Sequence, residues 1–397
     1  MEEVDVAVIG AGMAGLAAAY HLRDLGPRLA VLDARRIGND HGSSVGASRM
    51  FREMYSDPYL CRMSQAANRR WRALEQAHGV ELRETHGLLF YGEPFDEETI
   101  EGSIPGARRV MDAQSIPYEA LESGDIAARF PLRPRGGDVG LFEPTAGAIR
   151  SDRALTLFAR ELRAAGAQIH EERPVRTLQL GPDGAVLATP SGPLRARQVV
   201  LAAGPWTNAL LRPLGLALEL ELWAMLWAHY AVPEADAHRY PQWFYFQEAR
   251  PAQRDGGRYY GFPALDRHAD GQPRIKVGID WAPEENRAAS WEALDRQPAP
   301  HAVALLDAFL REQLPAVGPR LEVRTSPYTM TRDVGFVLDR LHPSLVCFTG
   351  GSGQAFKFCP LLGTLLAELV RGDTLSADIG PWNAARLRCG RDSAAAQ

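Results

Sequence analysis

The first thirty-three residues constrain this chain more than any other stretch. Val4 to Ile9 is a short apolar run with the pattern of a buried parallel strand. It stops at Gly10-Ala11-Gly12-Met13-Ala14-Gly15, and an Ala- and Leu-rich helical stretch follows from Leu16 to Leu25. Leu29 to Leu32 is a second apolar run, closed by Asp33. Strand, G-x-G-x-x-G, helix, strand and acid in that order form a dinucleotide-binding unit. Gly10 allows the tight turn, Gly12 lets the backbone approach a pyrophosphate, and Gly15 lets the helix pack on the strand. The free N–H groups and positive end of the helix face the phosphates. Asp33 can accept hydrogen bonds from a ribose diol. The unit alone does not choose between a flavin and a nicotinamide dinucleotide.

A chain of 397 residues exceeds one ordinary core, which implies two domains. Hydrophobic residues make up 46% and charged residues 23%, with a net charge of −5 spread along the chain. That balance points to a soluble globular protein and away from nucleic-acid or membrane surfaces. No apolar run approaches the roughly 20 residues of a membrane span. The chain enters its first strand without a basic n-region, so no signal peptide is expected. Cys61, Cys347, Cys359 and Cys389 show no C-x-x-C spacing. They read as free thiols in a reducing, cytoplasmic compartment, with no metal site.

After Asp33 comes a polar, glycine-rich loop, Asn39 to Gly46, and then Ser48-Arg49-Met50-Phe51-Arg52. Asp57 as N-cap and Pro58 in the first turn open a helix to about Ala77. Gly87 to Tyr91 reads as a strand, and residues 92–147 are broken by Pro and Gly. Ser151 is expected to cap a helix from Asp152 to Ala165, and four strands follow, the last leading into Gly204-Pro205-Trp206. Residues 216–325 carry aromatic strands: Leu220–Val232, Trp243–Gln247, Tyr259–Pro263 and Arg274–Trp281, with a helix at His301–Leu314. The chain then returns to its first style with Leu345–Thr349, the turn Gly350-Gly351-Ser352-Gly353 and a helix from Pro360 to Arg371. The fold class is therefore α/β plus mixed sheet. A discontinuous Rossmann-type dinucleotide domain takes residues 1–80, 148–216 and 326–397. An antiparallel or mixed β-sheet substrate domain takes 81–147 and 217–325. A second glycine-rich strand-turn-helix near the C-terminus does not suit a simple nicotinamide fold. The low-complexity final residues are expected to be disordered.

Several motifs stand together: Gly10-x-Gly12-x-x-Gly15 with Asp33, Ser48-Arg49-x-x-Arg52, Tyr259-Tyr260-Gly261-Phe262-Pro263, Lys276-Val277-Gly278, Tyr328-Thr329-x-Thr331-x-Asp333 and Gly353-x-x-Phe356-Lys357-Phe358. On these the chain resembles, nearly end to end, the monomeric sarcosine oxidase and N-methyltryptophan oxidase family, within the D-amino acid oxidase class of flavoproteins. The resemblance implies an FAD-binding domain over a substrate domain, with FAD at their junction and oxidation of an amino acid C–N bond. It places Gly10, Gly12, Gly15, Asp33, Ser43, Ser44, Arg49, Gly204, Ser326, Gly351, Gly353 and Lys357 at the cofactor. Arg52 and Lys357 would bind a substrate carboxylate, a guanidinium fork beside an ammonium point charge. Arg52 otherwise reads as an exposed helix arginine with Glu53 as its partner. Lys276, in an alternating strand, would stand over the flavin opposite the substrate and stabilise charge developing on dioxygen. Arg49 would be a second positive group beside the ring, and Tyr260 would line the pocket or serve as an ordinary sheet aromatic.

Two positions depart from the family. It attaches its flavin through a cysteine where this chain has Ser326. A hydroxyl is no thiolate nucleophile, so FAD is expected to be held without a covalent bond there. The family also carries a histidine four residues after the lysine, where this chain has Asp280. A carboxylate there would repel an acidic substrate group or attract a cationic one. The aromatics Trp223, Trp227, Trp243, Phe244, Tyr245 and Phe246 read either as sheet core or as the walls of a roomy pocket. Period-2 alternation cannot turn all of them one way.

The expectation is an FAD-dependent oxidase of a secondary or cyclic amino acid bulkier than sarcosine. It would be a monomer, with O2 as acceptor, H2O2 as product, and no nucleic-acid or membrane partner. The alternatives are a biosynthetic dehydrogenase or tailoring enzyme of the same fold and a flavin-binding subunit without its own turnover.

Overall fold

Parallel strands at the centre of the molecule run Gln168–His170, Leu29–Leu32, Glu2–Ile9, Leu194–Leu201 and Leu345–Thr349. The structure is a computed structural model that describes residues 1–44, 46–95 and 101–388. The expected disorder of the final residues, and Cys389, lie outside that range. Every residue of Leu29–Leu32 and Leu345–Thr349 is buried, as the continuous apolar runs imply. Antiparallel strands Gly184–Ala188, Thr177–Gly181 and Val337–His342 extend this sheet. Its strands end level: Ile9 stands opposite Leu32 and Leu201, and Leu201 opposite Cys347. Glycine turns therefore leave from one rim.

Helix Met13–His21 leaves that rim and is buried along most of its length. It packs between Ser151–Ala164 and Cys359–Arg371. A β-carbon on Gly363 would lie 2.6 Å from the Ala17 backbone, so glycine there permits the close crossing. The helix expected from Asp57 runs Pro58–His78, with the Asp57 carboxylate accepting from the Tyr59 N–H. Ser151 does not cap its helix. Its hydroxyl donates to the Gly46 carbonyl at 2.6 Å and ties down the loop before Arg49 instead.

The aromatic segments form a nine-stranded mixed sheet. Arg320–Thr331 pairs with Leu220–Ala231, and the order continues through Pro273–Ile279, Arg258–Arg267, Gln242–Phe246, Leu88–Gly92, Val139–Glu143 and Glu119–Glu122. Only the pair Gln242–Phe246 with Leu88–Gly92 is parallel among these. The strand Arg320–Thr331 runs unbroken across position 325/326, where the sequence suggests a domain boundary. The region 92–147, which shows little regularity in sequence, supplies two strands of this sheet and helix Ile104–Ala113. A small third sheet joins Ser48–Phe51, Gly147–Arg150 and Arg83–Thr85.

One face of the large sheet packs on helix Pro300–Gln313. Phe309 stacks on Tyr259 at 4.0 Å and touches Trp243 and Tyr245. Phe244, Tyr260 and Phe262 alternate to the other face, toward the first domain. Among the described residues no helix is long and apolar enough to cross a membrane, and no cluster of His, Cys, Asp and Glu is arranged to hold a metal ion.

Gly363→Val should lower stability by about 1–3 kcal/mol by forcing the helix crossing apart. Urea unfolding should show a lower midpoint at an unchanged slope. A wild-type midpoint would contradict the close packing.

Candidate active site

The level strand ends and their glycine turns enclose a cavity of about 400 Å³. Gly10 has a φ of +102°, and a side chain there would meet the backbone of Ala202. A β-carbon on Gly15 would overlap the Gly10 carbonyl, so this glycine serves packing and does not line the cavity. The Gly10 N–H donates to Leu32 O at 2.8 Å, which sets the turn. Asp33 accepts from the N–H groups of Ala11 and Arg35 at 2.6 and 2.8 Å, and burial still pushes its carboxyl above the usual range. The Ser44 hydroxyl accepts from the Met13 N–H at 3.0 Å and so joins the loop to the first turn of the helix. Gly12, Ser43, Ser44, Arg49, Gly204, Gly351 and Gly353 line this cavity.

A second cavity of about 490 Å³ adjoins the first under the large sheet. Ser43, Arg49, Tyr328, Gly353 and Phe356 line both, so the two spaces meet across these residues. Ser326 and Lys357, expected at the cofactor, line the second cavity. The Ser326 hydroxyl accepts from Trp227 Nε1 at 2.9 Å.

Arg49 leaves strand Ser48–Phe51 and donates to the carbonyls of Ser48 and Ser43 at 2.7 and 2.6 Å. Lys276 Nζ donates to the Ser48 carbonyl at 3.2 Å and lies 4.0 Å from the centre of the Phe262 ring. Burial and the Arg49 charge hold its ammonium well below the usual lysine range. Lys357 sits on the short 3-10 turn Ala355–Phe358, which Trp71 Nε1 anchors by donating to the Lys357 carbonyl at 2.8 Å. Burial, then the Arg52 charge, bring the Lys357 ammonium down to about 7, against the pull of Glu101 and Asp280.

Arg52 is no surface residue: it is 1% exposed, under the rings of Tyr55, Phe90 and Phe244. Glu53 is not its partner, because the Glu53 carboxylate accepts from Asn68 Nδ2. Arg52 pairs with Glu101 instead. Burial works against the guanidinium's charge, and Glu101 and Tyr55 together more than offset it, so the net shift is upward. Asp280 is buried in the same cavity, with its Oδ2 lacking a hydrogen bond among the described residues and 3.9 Å from Arg258 Nε. Burial, then the Glu101 charge, raise its carboxyl to about 7. Tyr260 and Tyr328 share a hydrogen bond, and burial raises both phenols, Tyr328 to about 12.

Sequence reasoning missed Glu101 and Glu143. Glu101 follows an acidic stretch that reads as solvated loop, and its pairing with Arg52 is a tertiary event. Glu143, 1% exposed, accepts from the N–H groups of Glu53 and Met54 at 2.9 and 3.0 Å. It thereby holds the backbone just after Arg52. Nothing in the alternation of its strand marks it.

This geometry matches known proteins. The family model described as FAD dependent oxidoreductase covers residues 5–369. Peroxisomal sarcosine oxidase of Homo sapiens is 31% identical over 402 residues, covering 96% of each chain. Monomeric sarcosine oxidase of Streptomyces avermitilis is 29% identical, covering 96% of this chain and 97% of its own. The solved structure of NikD, described as an unusual amino acid oxidase essential for nikkomycin biosynthesis, superposes in its open form with a TM-score of 0.87 at 31% identity, over 98% of this chain and all of its own. The site and the match define an FAD-dependent oxidoreductase that acts on CH–NH bonds of amino acids. The chain belongs to the FAD dependent oxidoreductase family, on its sarcosine oxidase-like side. The cavity fits the cofactor: the side-chain-free rim at Gly10 and Gly12, the helix start at Met13 and the Asp33 carboxylate suit a dinucleotide's phosphates and ribose.

Glu143 sets a pH dependence of folding. Burial raises its carboxyl to about 7 from an ordinary 4.5, so the folded state binds more protons between these values. Its stabilising contribution is complete below about 4.5 and is lost as pH rises to about 7, on the order of 3 kcal/mol. Glu143→Gln should flatten that decline in urea unfolding measured from pH 4.5 to 7.5. An unchanged slope would remove Glu143 as its source.

Proposed function

We propose that the protein is an FAD-dependent oxidase of a secondary or cyclic amino acid bulkier than sarcosine, a cytoplasmic monomer that passes electrons to dioxygen and releases hydrogen peroxide. Residues 1–80, 148–216 and 326–397 would hold the cofactor, and 81–147 and 217–325 the substrate. The observation that carries this reading is the junction of the dinucleotide cavity with a second cavity holding Arg52, Lys357 and Asp280. Bound FAD supplies the two-electron oxidation of a C–N bond. The remaining work falls to the chain. Arg52 and Lys357 bind the substrate carboxylate, and Glu101 balances the Arg52 charge while the site is free of substrate. A substrate amine reaches the site mostly as an ammonium and must be neutral to be oxidised. Asp280 Oδ2, without a hydrogen bond and with its carboxyl near 7, can take that proton. Trp227 and Phe244 give the pocket apolar walls wide enough for a ring or side chain. Lys276 and Arg49 present positive charge toward dioxygen as it is reduced.

Non-covalent FAD is supported by the thiols. Ser326 replaces the family's cysteine. Cys359 lines the cofactor cavity, but burial raises its thiol far above neutrality and it donates to the Ala355 carbonyl. Such a thiol is a poor nucleophile. Acid precipitation should leave the flavin in the supernatant and a colourless pellet; a yellow pellet would overturn the point.

Anaerobic titration tests the reaction. Secondary and cyclic amino acids should bleach the flavin, and their decarboxylated analogues should not. Lys357→Met should raise the half-saturating concentration about tenfold to a hundredfold, the loss of one charge-assisted bond. Equal bleaching by decarboxylated amines would remove the carboxylate role. No bleaching by either class would sink the oxidase reading. The likeness to NikD, described as essential for nikkomycin biosynthesis, supports a biosynthetic tailoring role; a second reading is a dehydrogenase of the same fold whose electrons go to a carrier. Slow reoxidation in air after fast bleaching would distinguish it.

A further inference from the structure

The mouth of the second cavity carries a row of side chains that substrate binding does not use. Glu322, His229, Lys276 and Phe262 stand directly opposite one another across adjacent antiparallel strands. Opposed residues project from one face with β-carbons about 4.5–5.5 Å apart, so these four form a line across the sheet. All four line the same cavity. The outer end reaches solvent: the Glu322 side chain is 25% exposed and that of His229 is 11% exposed. His229 Nδ1 lies 3.0 Å from Glu322 Oε2. At the inner end Lys276 Nζ rests on Phe262 and the Ser48 carbonyl. Glu322 already has Arg324 and Arg274 as cationic partners, so His229 is not needed to balance its charge.

We propose that Glu322 and His229 carry a proton from solvent to Lys276 while dioxygen is reduced. The proposal rests on the oxidase reading above. Forming hydrogen peroxide from dioxygen takes two electrons and two protons. FAD bound in the first cavity and reduced by substrate would supply both electrons and one of the protons. The second proton comes from the Lys276 ammonium, which is left as the neutral amine. The row then restores it: the imidazolium, held at Nδ1 by the ionised Glu322 carboxylate, releases a proton inward from its other nitrogen, and solvent at the exposed Glu322 end recharges the ring. His229 and Lys276 line the same polar cavity, where a water would bridge them. The charged groups around the row act on both members. His229 faces Glu322 and Asp266, which favour its charged form, and Arg274 and Lys276, which oppose it; burial, the largest influence, keeps it below the ordinary histidine range. Lys276 is pushed down by burial and Arg49 and pulled up by Asp266. Both groups thus release their protons more readily than a solvent-exposed histidine or lysine would.

The test uses the whole flavoenzyme and the variants His229→Gln and Glu322→Gln. Enzyme reduced anaerobically is mixed with oxygenated buffer at several pH values in H2O and D2O, and reoxidation is followed by flavin absorbance. His229→Gln should slow reoxidation about tenfold above neutral pH, less than the ~10²–10⁴ of a donor in direct contact because cavity water offers a bypass. Added imidazole should restore the rate, and anaerobic bleaching by substrate should stay at the wild-type rate. A second readout needs no turnover. The His229 ring signal, assigned by its loss in His229→Gln, should titrate at higher pH in Lys276→Met and at lower pH in Glu322→Gln. If the wild type reoxidises quickly and both glutamine variants match it in rate and isotope effect, the relay is overturned alone. A ring titration unmoved by Lys276→Met also overturns it. A wild type that dioxygen does not reoxidise overturns the oxidase reading, and the relay with it.

Discussion

The site depends on backbone meeting backbone at the ends of the parallel strands. Ile9, Leu32 and Leu201 finish level, and the turn after Ile9 tolerates no side chain at Gly10. Gly10 lies against Ala202 and Gly15 against Gly10, so the first helix starts close under the rim. That closeness brings the helix's free N–H groups to the cavity wall. The same economy recurs at Gly353, where a side chain would strike the Tyr328 ring. Glycine there lets Tyr328 stand between the two cavities and share their walls.

Beyond that rim the site gathers cations. Arg49 and Arg52 from one segment, Lys276 from a strand of the large sheet and Lys357 from a turn near the C-terminus converge on one space. Removing an ion from water costs several kcal/mol, so each needs compensation. For Arg52 the Glu101 carboxylate and the Tyr55 phenol together outweigh burial and the charge is secured. Lys276 donates to a backbone carbonyl, a dipole and not a counter-charge, and burial wins. Lys357 lies between these cases: Glu101 and Asp280 pull it up, yet burial and Arg52 bring it to about 7. The outcome is a region short of negative charge, suited to receive an anionic group or a developing negative charge.

Much of this was legible in sequence because its signals are local. The glycine spacing, the acid at residue 33 and the strand–turn at 345–353 each describe a few consecutive residues, and the structure keeps them in register. Lys276 could be placed on a strand from alternation alone. What could not be read depends on distant segments. Arg52 looks like a helix-surface arginine beside Glu53, and is a core residue because the Phe90 and Phe244 rings cover it and Glu101, 49 positions away, pairs with it. Ser151 has the look of a cap, but the loop at Gly46 offers its hydroxyl a better acceptor. Glu143 and His229 matter through partners on other elements, which no local period records. The region 92–147 hid two strands because its Pro and Gly residues break the alternation by which strands are recognised.

The aromatic run divides between the two faces of the sheet, for the period-2 reason that prevented a choice. Trp243 and Tyr245 point to the helix that carries Phe309, while Phe244 faces the cavity. The strand Arg320–Thr331 obeys the same rule and shows its consequence most fully. Glu322, Arg324, Ser326 and Tyr328, each two residues on from the last, all face the second cavity, and Tyr328 reaches the first. One strand thus runs from the solvent mouth to the cofactor rim and sets a side chain at each step. Ser326 stands next to the residue that borders both cavities, with its hydroxyl accepting from the Trp227 indole. Position alone would therefore not bar this residue from the cofactor. What separates it from a cysteine at the same place is the acidity of the atom it presents: a hydroxyl keeps its proton at neutral pH, whereas a thiol can yield a nucleophilic thiolate.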